Sequence, residues 1–369
     1  MARSSYLILT CDGGGIRGLV PALLLQQLDK ELDLLRRVDL FAGTSTGGVI
    51  ALGLASEVSI SAIVDIYMKK GAEIFKPYRS LAAKPRPTAL TKLHRKALSL
   101  PADLLHVKYS NEGLKNLISK TYPATTQLGN LKRNALVSTL DLYQTERKAW
   151  MPMALTNLPG SKTADVTVLD AALSTSAAPI YFPPHIYTRN GQESAFADGG
   201  IFANNPSTLA VASVLASGAL KRAGLTSGDI KLLSLGTGFT LDGIPAKNRL
   251  PAEWYGILAW LSPITRPPTP QFPLLSALMD GVSNVDAFQC GQLLGNNFRR
   301  GNVQLTKTID LDDYKKVDEL RKMTETYMAS AEWKEVKRWV ARDFVQPSTR
   351  GRSRSSTAKS AKISQRRAK

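Results

Sequence analysis

Two short apolar runs, at residues 6–11 and 40–42, each stop at a glycine-rich segment, and each segment leads into a stretch with helical apolar spacing. A strand that turns through glycines into a helix, and does so twice near the start of a chain, restricts the fold to α/β architectures. The first turn is Asp12-Gly13-Gly14-Gly15-Ile16-Arg17-Gly18, with Pro21 opening a helix over 22–35 in which Leu23, Leu24, Leu28, Leu32 and Leu35 fall near one face. Pro suits a first helical turn because its missing N–H would have been unpaired there anyway. The second turn is Gly43-Thr44-Ser45-Thr46-Gly47, followed by a helical 48–55. Further helices are expected at 59–75, 111–122, 168–177 and 206–222, and strands at 135–142, 149–155, 194–197 and 231–235. Two helices, at about 274–295 and 314–344, close the domain. Residues 76–109 are rich in Pro and Lys and read as an irregular cap insertion, and 240–272 is Pro-rich and irregular. The expectation is a three-layer α/β/α domain over residues 1–345 with a mostly parallel central sheet.

Charge separates the end of the chain from this domain. The net charge is +18, but eight basic residues and no acidic one fall in 348–369, which leaves +10 for the rest. With Ile363 as its only large apolar residue, 346–369 cannot bury enough surface to offset its ordering entropy and is expected to be a disordered basic tail. Such a tail suits anionic lipid or nucleic-acid phosphates, or simply keeps the chain soluble. The chain carries no recognisable nucleic-acid fold motif, so nucleic acid is not the expected partner. Two cysteines, Cys11 and Cys290, make neither a disulfide framework nor a metal cluster, which fits a reducing, cytoplasmic compartment. None of the uncharged stretches is continuously apolar over the roughly 20 residues that a spanning helix needs.

The Gly-x-Ser-x-Gly of residues 43–47 is a nucleophile elbow. Its glycines remove Cβ atoms that would collide in the sharp turn, and its serine sits where a helix N-terminus favours negative charge. In the first turn, three successive glycines can aim N–H groups at one point, as a tetrahedral oxyanion requires, with Arg17 adding positive charge for a phosphate or the transition state. Gly13, Gly15 and Gly18 also satisfy a dinucleotide-binding pattern. That fold wants an acidic residue at the end of the second strand, where this chain has the Ser45 elbow; Asp33 falls within the expected helix and Asp39 precedes the strand. A serine nucleophile needs a base. Of His94, His106 and His185, only His185 is a candidate, and no motif orients it. Asp198, in Asp198-Gly199-Gly200, can approach another loop closely and accept the proton directly.

The ordered set of Asp12–Gly18, Gly43–Gly47, Ser174-Thr175-Ser176-Ala177-Ala178-Pro179-Ile180-Tyr181-Phe182-Pro183 and Asp198-Gly199-Gly200 with Asn204-Asn205-Pro206 resembles the patatin-like phospholipase family. The likeness runs from about Tyr6 to Gly238. It implies a Ser45–Asp198 dyad, an oxyanion hole from Gly13, Gly14 and Gly15, substrate contact by Arg17, and an acyl-enzyme mechanism on phospholipids or other lipid esters with no metal or cofactor. A general carboxylesterase or triglyceride lipase would use the same site, whereas a non-catalytic binding protein with a basic tail would not. A bacterial subset of the family consists of defence effectors switched on by a cyclic nucleotide. The resemblance extends to that activator, although no nucleotide motif is visible here. Trp254, Tyr255, Ile257, Leu258, Trp260 and Leu261 form a cluster before Pro263 that suits either a membrane-dipping lid or a core-packed helix. The first option, together with the basic surplus, places the protein peripherally at the inner face of a membrane.

Overall fold

A computed structural model describes residues 4–77, 107–189, 191–247, 250–262, 264 and 268–345, the side chains of Ala252 and Leu258 excepted. Most of the proposed cap and the whole basic tail lie outside the described residues.

Eight strands form one sheet: β1 (Tyr6–Cys11), β2 (Leu40–Gly43), β3 (Asn134–Gln144), β4 (Ala149–Thr156), β5 (His185–Arg189), β6 (Gln192–Asp198), β7 (Ile230–Leu235) and β8 (Phe298–Gly301). Their order is β5-β6-β3-β2-β1-β7-β8, with β4 also paired to β3. The β1–β2, β1–β7, β2–β3 and β7–β8 pairs are parallel, and the pairs among β3, β4, β5 and β6 are antiparallel. Period-two alternation divides the strand side chains between two cores. Leu7, Leu9, Phe41, Ala135, Val137, Leu233 and Leu235 face one, and Tyr6, Ile8, Leu40, Ala42, Leu136, Ile230 and Leu232 face the other. The first core is covered by α1 (Leu19–Leu32), α2 (Thr46–Ala55), α3 (Ile60–Lys69), α4 (Glu112–Thr121), α5 (Val168–Thr175) and residues of two late helices. The second is covered by α6 (Ser207–Ser217) and α7 (Val282–Leu294). A strand buried on both faces is largely apolar, and in β1 the one exception, Thr10, shares a hydrogen bond with the Ser207 hydroxyl.

Where the expected elements differ from those observed, local physics accounts for it. The helix expected over 206–222 breaks at Gly218, which takes a left-handed φ of 72°. The helix expected over 314–344 divides into α8 (Val317–Ala329) and α9 (Ala331–Trp339) at Ser330, which has an extended backbone and whose side-chain Oγ caps α9 by accepting from the Trp333 N–H. The helix expected over 59–75 ends at Lys69, with a short turn at Gly71–Ile74 after it. β5 and β8 were not anticipated. Both are edge strands whose polar, half-exposed sequences, His-Ile-Tyr-Thr-Arg and Phe-Arg-Arg-Gly, lack an apolar run.

Candidate active site

The site is built where strand ends meet along β3. β4 occupies one edge of β3 over Leu136–Asp141, so β2 and β6 must share the other edge. Parallel β2 pairs up to Gly43↔Val137, and antiparallel β6 arrives from the opposite direction and ends at Asp198↔Thr139. The two strands therefore finish head to head, with only Ser138 between their ends on β3. Ser45 leaves one end and Asp198 closes the other. The same register aligns Cys11 with Gly43 and with Leu235, so the glycine loop after β1 and the Thr237 turn after β7 emerge at the same edge of the sheet.

Ser45 holds φ 54° and ψ −122°, a strained backbone for a residue with a side chain. Three contacts fix it. Its N–H donates to Thr175 Oγ1 at 2.9 Å, its C=O accepts the Val49 N–H at 3.0 Å, and the Thr44 hydroxyl donates to Ala203 O. A Cβ on Gly47 would stand 2.1 Å from Cys11 O, so the elbow tolerates only glycine there. Asp198 is almost fully buried. Its Oδ1 accepts the Gly200 N–H at 2.7 Å, and its own N–H donates to Ala177 O. Oδ2 has no hydrogen bond of full geometry. Burial pushes the carboxyl up to about 7, against the lowering effects of the neighbouring Ser45 hydroxyl and the Gly200 amide. A carboxylate poised near neutrality beside a hydroxyl is suited to take and return a proton.

The glycine loop bends toward this pair. Gly15 adopts φ +58° and packs so close to Leu311 O that an added Cβ would lie 2.2 Å away. The Gly13 N–H is donated to Asn204 O at 2.9 Å, while its C=O accepts from the Thr237 hydroxyl at 2.7 Å. The amides of Gly14 and Gly15 have no partner among the described residues, so of the three glycines these two keep free donors. Asp12 anchors the loop through a bidentate pair with Arg300 on β8, at 3.1 and 2.5 Å, and Arg300 also donates to Ser234 Oγ. Burial raises the Asp12 carboxyl, and Arg300 opposes the rise.

Two cavities open here. One, of about 60 Å³, contains Ser45, Asp198 and Gly15 and is walled by apolar side chains such as Val49, Ile66, Phe75, Leu117 and Phe182. The other, of about 430 Å³, has a mixed polar and apolar lining and includes Arg17, Arg300 and Asp280. Tyr181, Met279 and Leu311 line both. The structure thus brings together Ser45, Asp198 and Gly15 and sets Arg17 in the adjoining chamber. It leaves His185 elsewhere: that ring lies 3.0 Å from Asp170 and lines neither cavity. Thr237 and Arg300 escaped the sequence reading as site residues. Thr237 sits in a recognised strand end, but Arg300 belongs to a strand without an apolar signature.

The profile of the patatin-like phospholipase family matches residues 9–211. This chain belongs to the patatin-like phospholipase family. Patatin-like protein 1 and patatin-like protein 2 of Arabidopsis thaliana are 31% and 32% identical to it over 70% and 69% of this chain. The aligned regions span 64% and 65% of those two relatives' lengths. A protein of Pseudomonas aeruginosa named cGAMP-activated phospholipase is 31% identical over 80% of this chain and 77% of its own. The matched region holds the glycine loop, the elbow, Thr175, Asp198 and Asn204, but it stops short of Thr237 and Arg300.

Proposed function

We propose that this protein is a serine-dependent lipid acyl hydrolase that releases fatty acids from phospholipids. The observation that carries the reading is the head-to-head ending of β2 and β6, with a serine hydroxyl beside a buried carboxylate at the wall of an apolar cavity. Asp198 Oδ2 accepts the proton of Ser45 as Oγ attacks the acyl carbonyl. The negative charge that develops on the carbonyl oxygen meets the free amides of Gly14 and Gly15, with the α2 N-terminus behind Ser45. Asp198 then returns the proton to the departing alcohol. Water, deprotonated by the same carboxylate, attacks the Ser45 ester; the carboxyl passes that proton to the departing Ser45 Oγ, and the fatty acid leaves. The apolar cavity takes the part of the acyl chain next to the ester, and Arg17 attracts the phosphate.

The substrate is met at a membrane surface. Trp254 and Ile257 are 69% and 77% exposed, which favours the membrane-dipping alternative for that cluster over core packing. No helix among the described residues is long and apolar enough to cross a membrane, so attachment would be peripheral. The relatives named cGAMP-activated phospholipases support one more element of the reading, a hydrolase switched on by a cyclic nucleotide; a defence role is part of the proposal. Fatty-acid release from phospholipid vesicles tests the whole reading. Ser45→Ala and Asp198→Ala each abolish release while keeping the fold, and full activity in either sinks the dyad. Adding cGAMP to wild type raises the rate; high basal activity without a response removes the activator.

A further inference from the structure

We propose that the larger chamber beside the dyad, through its charged groups, is a recognition site for a zwitterionic lipid headgroup, phosphate inside and ammonium at the mouth, so that the enzyme selects phosphoethanolamine-type lipids over anionic ones. The inference rests on the hydrolase reading above and adds the identity of its preferred headgroup.

Arg17 follows directly on the glycine loop, is 8% exposed and lines the chamber. Its Nε is buried without a hydrogen bond, and its guanidinium forms no ion pair among the described residues. A buried guanidinium left open to a cavity is a site for an anion. The other arginine in the chamber, Arg300, is already neutralised by its bidentate pair with Asp12.

The rest of the chamber has the opposite sign. Asp242, Asp280 and Asp310 all line it, and none has an ion pair among the described residues. Asp280 projects from the turn at Ala277–Gly281 and is close enough to Arg17 and Asp242 to feel both charges. It is exposed at the chamber lining, and desolvation there raises its carboxyl, Arg17 opposing the rise and Asp242 adding to it. The Thr240 and Thr308 hydroxyls hold Asp242 Oδ2 at 2.6 and 3.0 Å.

Arg17, the unpaired cation, is buried, whereas Asp242 and Asp280 are exposed, an arrangement that matches a dipolar ligand. In a diacyl phospholipid the phosphate is nearer the scissile esters and the amine is beyond it. The order from buried to exposed in the chamber is the same. A headgroup with no cation, such as phosphoglycerol, satisfies Arg17 but leaves the carboxylates unpaired and facing its own negative charge.

The test uses dihexanoyl phosphatidylethanolamine and dihexanoyl phosphatidylglycerol dissolved as monomers, so that attraction of the basic chain to a charged surface plays no part. The cyclic nucleotide is included wherever activity requires it. The expected kcat/KM ratio in wild type is at least tenfold in favour of the ethanolamine lipid. Asp280→Asn combined with Asp242→Asn brings the ratio to about one, mainly through KM, and Asp280→Lys inverts it. A variant-free readout accompanies these: glycerophosphoethanolamine inhibits wild type more strongly than glycerophosphoglycerol. A wild-type ratio near one, or a tenfold ratio that survives the double substitution, overturns the assignment. Ser45→Ala separates the two levels. If it is inactive and wild type does not discriminate, only the headgroup inference falls. If it retains hydrolysis, or wild type cleaves neither lipid, the catalytic reading falls and takes the inference with it.

Discussion

Replacing Asp198 with Asn should abolish activity and at the same time stabilise the protein, by an amount that depends on pH. Burial moves the carboxyl from its ordinary 3.8 to about 7 in the fold. A folded value above the unfolded one means that the fold disfavours the ionised form. The stability is intact below about pH 3.8, is lost as pH rises toward about 7, and changes little above that. The shift is about 3 units at 1.36 kcal/mol each, so the ionised group costs on the order of 4 kcal/mol at pH 8. The Asn amide must find its own partners in a buried site, which reduces the expected gain to about 2–4 kcal/mol. Urea unfolding of wild type and Asp198→Asn at pH 4 and pH 8 isolates the term, because every other titrating group cancels in the double difference. Little difference is expected at pH 4, where the folded carboxyl is already neutral. If Asp198→Asn gains no more over wild type at pH 8 than at pH 4, the reasoning about a desolvated base is wrong.

Two further outcomes follow from the same geometry. For wild type, kcat/KM on an uncharged soluble ester should rise with pH along a single titration centred near 7, because only ionised Asp198 accepts the Ser45 proton; a profile flat from pH 5 to 9 would contradict this. Arg300→Ala leaves Asp12 buried and unpaired, and should cost about 3–5 kcal/mol in urea unfolding and lower kcat. Arg300→Lys should recover part of both, and an Arg300→Ala protein as stable as wild type would show that Asp12 does not need its partner.

The elbow, the glycine loop and Asp198 were legible because each imposes a local requirement that only certain residues meet. Gly47 must lie against Cys11 O, Gly15 must take a positive φ, and β1 must be largely apolar on both sides. The convergence of Ser45 and Asp198 was legible only through resemblance, because it depends on β2 and β6 sharing an edge of β3. Nothing local in Gly43 or Ala197 records that pairing. Arg300 was hidden for a related reason. Phe298–Gly301 has two adjacent arginines where a strand usually shows apolar alternation, and only its place beside β7 gives Arg300 an inward role. Asp280 and Asp242 are widely separated in sequence and meet Arg17 only in the folded chamber.

The groups that a stable fold would avoid are concentrated in one place. Ser45 keeps a strained backbone, Asp198 Oδ2 is buried without a full hydrogen bond, and Arg17 is buried without an ion pair among the described residues. Arg17 and Ser45 lie beyond the carboxyl-terminal ends of the parallel strands β1 and β2, and antiparallel β6 brings Asp198 to the same place from the opposite direction. In parallel α/β sheets that edge is where chains turn from strand to helix, so backbone amides point outward and side chains project without a neighbouring strand to pair them. Two apolar cores, one on each face of the sheet, lie next to this edge and hold it in place. Local conflict that a surrounding structure sustains is the expected mark of a functional site. Here it also explains the order of events at the site: strain fixes the nucleophile before substrate arrives, the buried carboxylate is ready to take its proton, and the unpaired guanidinium waits for the charge that the substrate brings.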